Sequence, residues 1–349
     1  MAEGPPPGPA TPVGRLLREA AARTGTALRR AVDRLPADVR HLAGLHFGWW
    51  DEEGAPPAAG PLPMGKAVRA ALVLLSCEAL GGERAAAVPA AVSVELVHNA
   101  SLLHDDVIDG DRIRRGRPAL WARCGLPAAV LTGDALFFLA VQVLVEAAAP
   151  LSGAGVTQLT TGVQELIDGE YADSGAGGRS PASAAECVAT AAAKTGALFA
   201  VACGLGALAA DASPARVERL RAFGSHAGVA FQLVDDLLGI WGDPRRTGKP
   251  ARSDLAARRR TLPIAAALAD GGPPARELAR IYDRRDPLSP AELDRAARLV
   301  GEAGGRARTL DEIRRSLDRA LHHLAAAGPA PRPAAELTAL AHMITRRDR

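Results

Sequence analysis

Apolar residues recur at helical spacing along almost the whole chain, in Ala-, Leu- and Val-rich runs broken by short Gly/Pro clusters. The breaks fall at 54–63, 81–82, 175–181, 242–250 and 271–274, and Gly and Pro in such clusters end regular structure. Between them the spacing predicts helices at 13–33, 66–80, 86–108, 127–148, 153–172, 182–209, 214–240, 254–269, 290–302, 306–326 and 333–345. Alternating β-branched residues, the mark of a strand, are absent, so the chain reads as all-α. No unit of about 20–50 residues repeats, which excludes a helical solenoid. Residues 1–12 are Pro/Gly-rich and read as a disordered tail. No linker divides 13–349, so one helical domain is expected there.

Composition sharpens the core. Hydrophobic residues make up 48% of 349 positions and aromatics only 3%, so small aliphatic side chains must fill the interior, which suits closely packed helices. The net charge of +3 is too small to point to nucleic acid. The apolar runs at 135–149 and 196–210 fall short of a bilayer span, so they read as buried helices, with no transmembrane segment expected. No signal peptide is visible at the N-terminus. Cys77, Cys124, Cys187 and Cys203 lie in apolar sequence without metal-ligand spacing. They read as small core residues in a reducing, cytoplasmic setting.

Two acidic clusters interrupt this apolar background. Asp105-Asp106-Val107-Ile108-Asp109 and Asp235-Asp236-Leu237-Leu238-Gly239 each close a long apolar helix. Carboxylates at i and i+4 project from one helical face. Burying that charge demands a cation. Oxygen-only ligands select a hard ion, and Mg²⁺ is usual where phosphates complete the shell. Basic residues follow each cluster: Arg112, Arg114, Arg115 and Arg117 after the first, Lys249 and Arg258 to Arg260 after the second. Such side chains hold phosphate oxygens by charge-assisted hydrogen bonds. Two acid-tipped helices facing one another would grip a diphosphate through divalent ions.

At this point the chain resembles the trans-isoprenyl diphosphate synthases, the polyprenyl synthetase family, over roughly residues 65–265. Gly65-Lys66 with Arg69 resembles the family's GKxxRP motif, and His98 stands seven residues before Asp105 as the family's His does. Asp105–Asp109 with Arg114-Arg115-Gly116 resembles the first aspartate-rich motif. Lys194-Thr195-Gly196, Phe231-Gln232 with Asp235-Asp236, and Lys249 resemble the later ones. The resemblance implies an isoprenoid-synthase-type helical bundle around a central cavity, acting as a homodimer. It implies ionisation of an allylic diphosphate, attack by isopentenyl diphosphate and loss of a proton, with three Mg²⁺ ions.

By the same resemblance Asp105, Asp106, Asp109 and Asp235 are metal ligands, with Asp236 close by. Arg114, Lys194, Thr195, Gln232 and Lys249 hold the allylic diphosphate. Lys66, Arg69, His98 and Arg115 hold that of the nucleophile. Each residue also has a plainer reading: His98 as a core histidine, Lys194 snorkelling to the surface, Thr195 bonded within its own helix. Gly239 departs from the pattern by removing the last aspartate of the second motif. Ala67 and Ala70 stand where Arg and Pro are usual, and Arg259 and Arg260 where two lysines are common.

Ala100, five residues and ~7.5 Å of helix below Asp105, and Ser101 are small. By analogy the product therefore reaches at least geranylgeranyl diphosphate, with farnesyl diphosphate second and longer chains third. A class I terpene cyclase would share the scaffold, but its Asn/Asp, Ser/Thr and Glu motif does not occur after residue 200. A non-catalytic partner subunit would usually lose aspartates that this chain keeps.

Overall fold

The computed structural model describes residues 11–51, 55, 67–174, 183–243, 252–284 and 286–346. Among the described residues ten helices run up to and through the second acidic cluster: α1 (Pro12–Val32), α2 (Ala37–Phe47), α3 (Val68–Ala79), α4 (Arg84–Ile108), α5 (Leu120–Cys124), α6 (Leu126–Val145), α7 (Val156–Ser174), α8 (Ala184–Ala191), α9 (Ala197–Ala209) and α10 (Pro214–Trp241). Six more described helices follow: α11 (Ser253–Ala256), α12 (Leu262–Leu268), α13 (Pro273–Asp283), α14 (Pro290–Glu302), α15 (Gly305–Ala326) and α16 (Pro331–Thr345). A π turn at Leu151–Gly155 precedes α7, and a second at Ala192–Gly196 joins α8 to α9. The architecture is all-α. Its one strand pair among the described residues is a hairpin, β1 (Ile113–Arg114) against β2 (Arg117–Pro118).

Helix α4 runs through the middle, packed on α3, α6 and α9, while α10 packs on α9 and α15. Small residues set how closely these helices approach. A Cβ on Gly206 would come within 2.2 Å of the Val73 carbonyl oxygen, and one on Gly224 within 2.3 Å of that of Phe199. Ser93 Oγ donates to the Ala140 carbonyl at 2.8 Å, tying α4 to α6. The largest core is Leu, Val and Ala, with Phe199 and Phe223 among its few fully buried rings. The low aromatic content and the tight helix contacts are one fact: interiors close-pack, and here the volume is taken by backbone.

Several expected boundaries change. The helix predicted at 254–269 is two short ones, α11 and α12, separated by a turn in which Arg258 adopts a left-handed φ of 51°. Helices α2, α5 and α13 were not anticipated. Helix α13 begins Pro273-Pro274; proline at the first helical positions starts a helix, so the 271–274 break is a beginning as well as an end. The expectation that no segment is long and apolar enough to cross a membrane is also corrected. Arg84–Ile108, Leu126–Val145 and Ala184–Ala209 qualify by length and composition, because each helix continues beyond its most apolar run. Their apolar windows are 83%, 39% and 67% buried inside the protein. Cys77, Cys187 and Cys203 are buried as expected, whereas Cys124, at the end of five-residue α5, is exposed. Most of the tail at 1–12 lies outside the described residues; α1 starts at Pro12, capped by Thr11, whose Oγ1 accepts from the Gly14 N–H at 3.1 Å.

Candidate active site

Helix α4 ends in Asp105 and Asp106, with Asp109 as its C-cap. A helix C-terminus already carries partial negative charge, so carboxylates there require cations, and three basic side chains supply them. Arg114, from the hairpin, donates Nε to Asp106 Oδ1 at 2.7 Å and bonds it through a second guanidinium nitrogen. Arg259 pairs with Asp109 at 2.8 Å. Lys194 lies close enough to Asp105 to oppose the burial that pushes its pKa above the ordinary carboxylate range. Asp106, only 1% exposed, is turned about 100° from Asp105, and its Oδ1 is committed to Arg114. Its Oδ2 is buried without a hydrogen-bond partner.

Lys194 does not reach for solvent. The π turn at Ala192–Gly196 inserts an extra residue into the helix, a feature frequent at functional sites. Across from it, a Cβ on Gly169 would meet the Lys194 backbone nitrogen at 2.3 Å. Only glycine lets α7 come so near, and it brings two acids with it. Lys194 Nζ donates to Glu170 Oε1 at 3.0 Å and to Asp173 Oδ2 at 2.6 Å. Burial and the neighbouring Asp105 push Glu170 up to about 7 although Lys194 opposes this. Glu170 and Asp173 escaped the sequence reading. Their i, i+3 spacing after an apolar helix, in Gly169-Glu170-Tyr171-Ala172-Asp173, is the signal that would have found them.

The second acidic end is organised by neutral dipoles. Thr195 Oγ1 donates to Gln232 Oε1 at 2.6 Å, not to its own helix, and Gln232 Nε2 donates to Asp236 Oδ1 at 3.0 Å. Burial pushes Asp236 up to about 8 against that hydrogen bond, with Asp254, Asp173 and Asp235 adding to the rise. Gly239, where the pattern loses its last aspartate, faces the Asp254 carboxylate: a Cβ there would lie 2.1 Å from Oδ2. The missing acid is thus replaced in space by one from α11.

A third cluster surrounds His98. Arg69 donates to His98 Nε2 at 3.3 Å and stacks over Phe199, 5.1 Å from the ring centroid. Arginine only donates, so Nε2 accepts and the His98 proton sits on Nδ1. Burial, then Arg69 and Arg115, depress His98 far below its usual value and keep it neutral. His46, also missed, packs beside it. Asn99 Nδ2 donates to the Glu95 carbonyl at 2.8 Å, so its Oδ1 accepts from His46 Nε2 at 3.1 Å. Burial and then Arg115 push His46 down to about 3. Arg115 occupies a left-handed hairpin position, φ 53°. Arg117 caps α2 by donating to the Leu45 and His46 carbonyls at 3.1 and 3.0 Å. Lys66 and Lys249 lie outside the described residues.

The acids suit a hard divalent cation: among the described residues the charged oxygens at the two helix ends are carboxylates, and Asp106 Oδ2 is buried without a hydrogen-bond partner. Among the described residues no three side chains converge as a preformed ion shell. Mg²⁺ is an ion that takes one or two carboxylates and completes its octahedron with phosphate and water.

An all-α enzyme with two carboxylate-tipped helices and basic side chains between them defines a diphosphate-handling class. The polyprenyl synthetase family pattern matches residues 58–300, and the chain belongs to that family of trans-isoprenyl diphosphate synthases. It is 44% identical over 323 residues to a (2E,6E)-farnesyl diphosphate synthase of Mycobacterium tuberculosis (strain ATCC 25618 / H37Rv), covering 92% of this chain and 89% of that one. It is 39% identical over 334 residues to a geranylgeranyl diphosphate synthase of the same strain, covering 95% and 93%. The crystal structure of a polyprenyl synthetase from Streptomyces coelicolor A3(2) superposes with a TM-score of 0.88 at 42% identity, covering 95% of this chain and 99% of that one. The protein is a trans-prenyltransferase of the short-chain kind.

Proposed function

We propose that the protein condenses isopentenyl diphosphate with an allylic diphosphate in a Mg²⁺-dependent reaction, with geranylgeranyl diphosphate as main product. What carries this reading is the cation-threaded approach of the two acidic helix ends through Lys194, Arg259 and their carboxylate partners. Asp105, Asp109 and Asp235 would hold the metal. When bound, Mg²⁺ neutralises charge growing on the leaving diphosphate. Arg114, Lys194 and Gln232 carry further N–H donors that would face that same diphosphate as charge develops, and Thr195, whose hydroxyl donates to Gln232 Oε1, fixes the Gln232 amide. Arg69, Arg115 and the neutral Nδ1–H of His98 would orient the diphosphate of the nucleophile. No side chain need act as base, because the departed diphosphate can take the proton.

The chain-length reading rests on Ala100, fully buried, and Ser101, 9% exposed and one turn below Asp105. Both are small, so neither brings the bulk of an aromatic floor to that level of the helix. Farnesyl diphosphate is the second reading, favoured by the 44% identical relative that carries that name. The test is incubation of the purified chain with each allylic diphosphate, labelled isopentenyl diphosphate and Mg²⁺, followed by product chromatography. A C20 product that shortens in Ala100→Phe or Ser101→Phe supports the reading. A C15 product from the parent, or unchanged length in both variants, sinks it.

The working form is a homodimer in the cytoplasm. Support comes from an exposed apolar stripe on α6 and α7: Leu131 (62%), Phe138 (78%), Val145 (55%), Ile167 (54%) and Tyr171 (58%). A patch of this kind marks a protein interface, and its spacing of seven along α6 suits a second helix pair. Sedimentation of the parent as a dimer and of Phe138→Glu as a monomer is expected; a monomeric parent would contradict it.

A further inference from the structure

Arg259 lies among acids from three segments. Its guanidinium pairs with Asp109 of α4 at 2.8 Å. Burial works against its charge, but Asp109, then Asp173 of α7 and Asp254 of α11, outweigh burial and hold it above its ordinary value. The turn that delivers it is firmly anchored. Arg258, in its left-handed conformation, donates to the carbonyls of Ile281 at 2.6 Å, Tyr282 at 3.2 Å and Asp286 at 2.6 Å. The Arg259 N–H donates to the Asp254 carbonyl at 2.9 Å. The guanidinium therefore reaches Asp109 from a clamped backbone, with Asp254 placed by the same turn.

We propose that Arg259 is a built-in counter-ion of Asp109 that a divalent cation must displace, so that metal and guanidinium are alternative occupants of the first acidic end. The inference rests on the reading of Asp105 and Asp109 as metal ligands. A Mg²⁺ ion binds carboxylate oxygen at about 2.0–2.1 Å, and a guanidinium retained on that oxygen would repel it at close range. Lys194 differs in kind. It pairs with Glu170 and Asp173, whereas Arg259 pairs with Asp109. In the metal-free protein Arg259 keeps the α4 end charge-balanced and joined to the segment after the second cluster. Once displaced, its charge stays tethered by the same turn near Asp173 and Asp254.

The test uses Mn²⁺ as the probe ion, titrated by calorimetry into the purified, substrate-free full chain. Arg259→Gln should bind Mn²⁺ about fivefold more tightly than the parent, the scale expected for removing one partly exposed ion pair. Its melting temperature in EDTA should fall, and Mg²⁺ should raise it by more than it raises the parent's. Arg259→Lys, which retains charge without the planar fork, should fall between the two, and it serves alone if the glutamine variant does not fold. Binding no tighter than the parent's in either variant overturns the proposal. Asp109→Asn separates the two levels. If it binds Mn²⁺ as well as the parent, the metal reading itself is wrong; if it loses binding while Arg259→Gln and Arg259→Lys match the parent, only the displacement idea fails.

Discussion

The ends of α4 and α10 both open with paired aspartates, yet the protein balances them differently. Around Asp105, Asp106 and Asp109 stand Lys194, Arg114 and Arg259. Around Asp236, among the described residues, stand a neutral amide from Gln232 and three further acids, Asp254, Asp173 and Asp235. The first end has a basic side chain beside each aspartate; at the second, Asp236 is bonded to a neutral amide and buried among acids, which raises its pKa. A repeated motif therefore does not imply a repeated electrostatic role.

The largest expected effect breaks or supports the shared role of both ends. Asp105→Ala and Asp235→Ala should each lower kcat by about 10²–10³-fold, the scale of losing a preorganised electrostatic contact in a transition state. Turnover of labelled isopentenyl diphosphate measures it, and parental rates in either variant would remove that end from the chemistry. A smaller effect concerns Gly239. Restoring the family's aspartate with Gly239→Asp should weaken Mg²⁺ dependence and cost about 1–3 kcal/mol of stability by overpacking, because its Cβ would lie 2.1 Å from Asp254 Oδ2. Tighter Mg²⁺ binding in that variant would show that Asp254 does not substitute for the missing acid.

The smallest effect sharpens the contrast in charge. Burial raises the folded pKa of Asp236 to about 8 from the ordinary aspartate value of 3.8. Between these values the folded chain keeps a proton that the unfolded chain has released, so stability falls as pH rises through that window and levels off above it. Melting curves of metal-free protein from pH 5 to 8 should decline for the parent and flatten for Asp236→Asn. An equal decline in both would assign the titration elsewhere.

Much of this was legible in the chain. The two clusters, Lys194, Thr195, Gln232, Arg69 and His98 were singled out by spacing and resemblance, and the structure pairs Lys194 with Glu170 and Asp173, Thr195 with Gln232, and Arg69 with His98. What escaped depends on contacts between distant segments. Glu170 and Asp173 matter because Gly169 lets α7 touch the π turn, and no periodicity in either helix reports that approach. Asp254 fills the space beside Gly239 from fifteen positions later, a replacement visible only when α11 is folded back. Helix α2 was missed because its mixed sequence, with Gly44 inside, has little amphipathic signal of its own. Its order comes from outside, through Arg117 on its last carbonyls and Trp50 Nε1 on the His41 carbonyl at 2.9 Å.

The five residues Ala192–Gly196 make α8 and α9 one rod with a slip in its winding. An α-helix advances about 100° per residue, so the surplus residue puts the two halves out of phase by that angle. Cys187 and Ala191 face the α10 cluster of Val229, Ala230 and Leu233, while Lys194, a few positions on, is aimed at α7 instead. Deleting one alanine from the slip would bring the rod back into phase and swing the lysine away from its acids. The ammonium would be lost from the site with its own residue still in the chain.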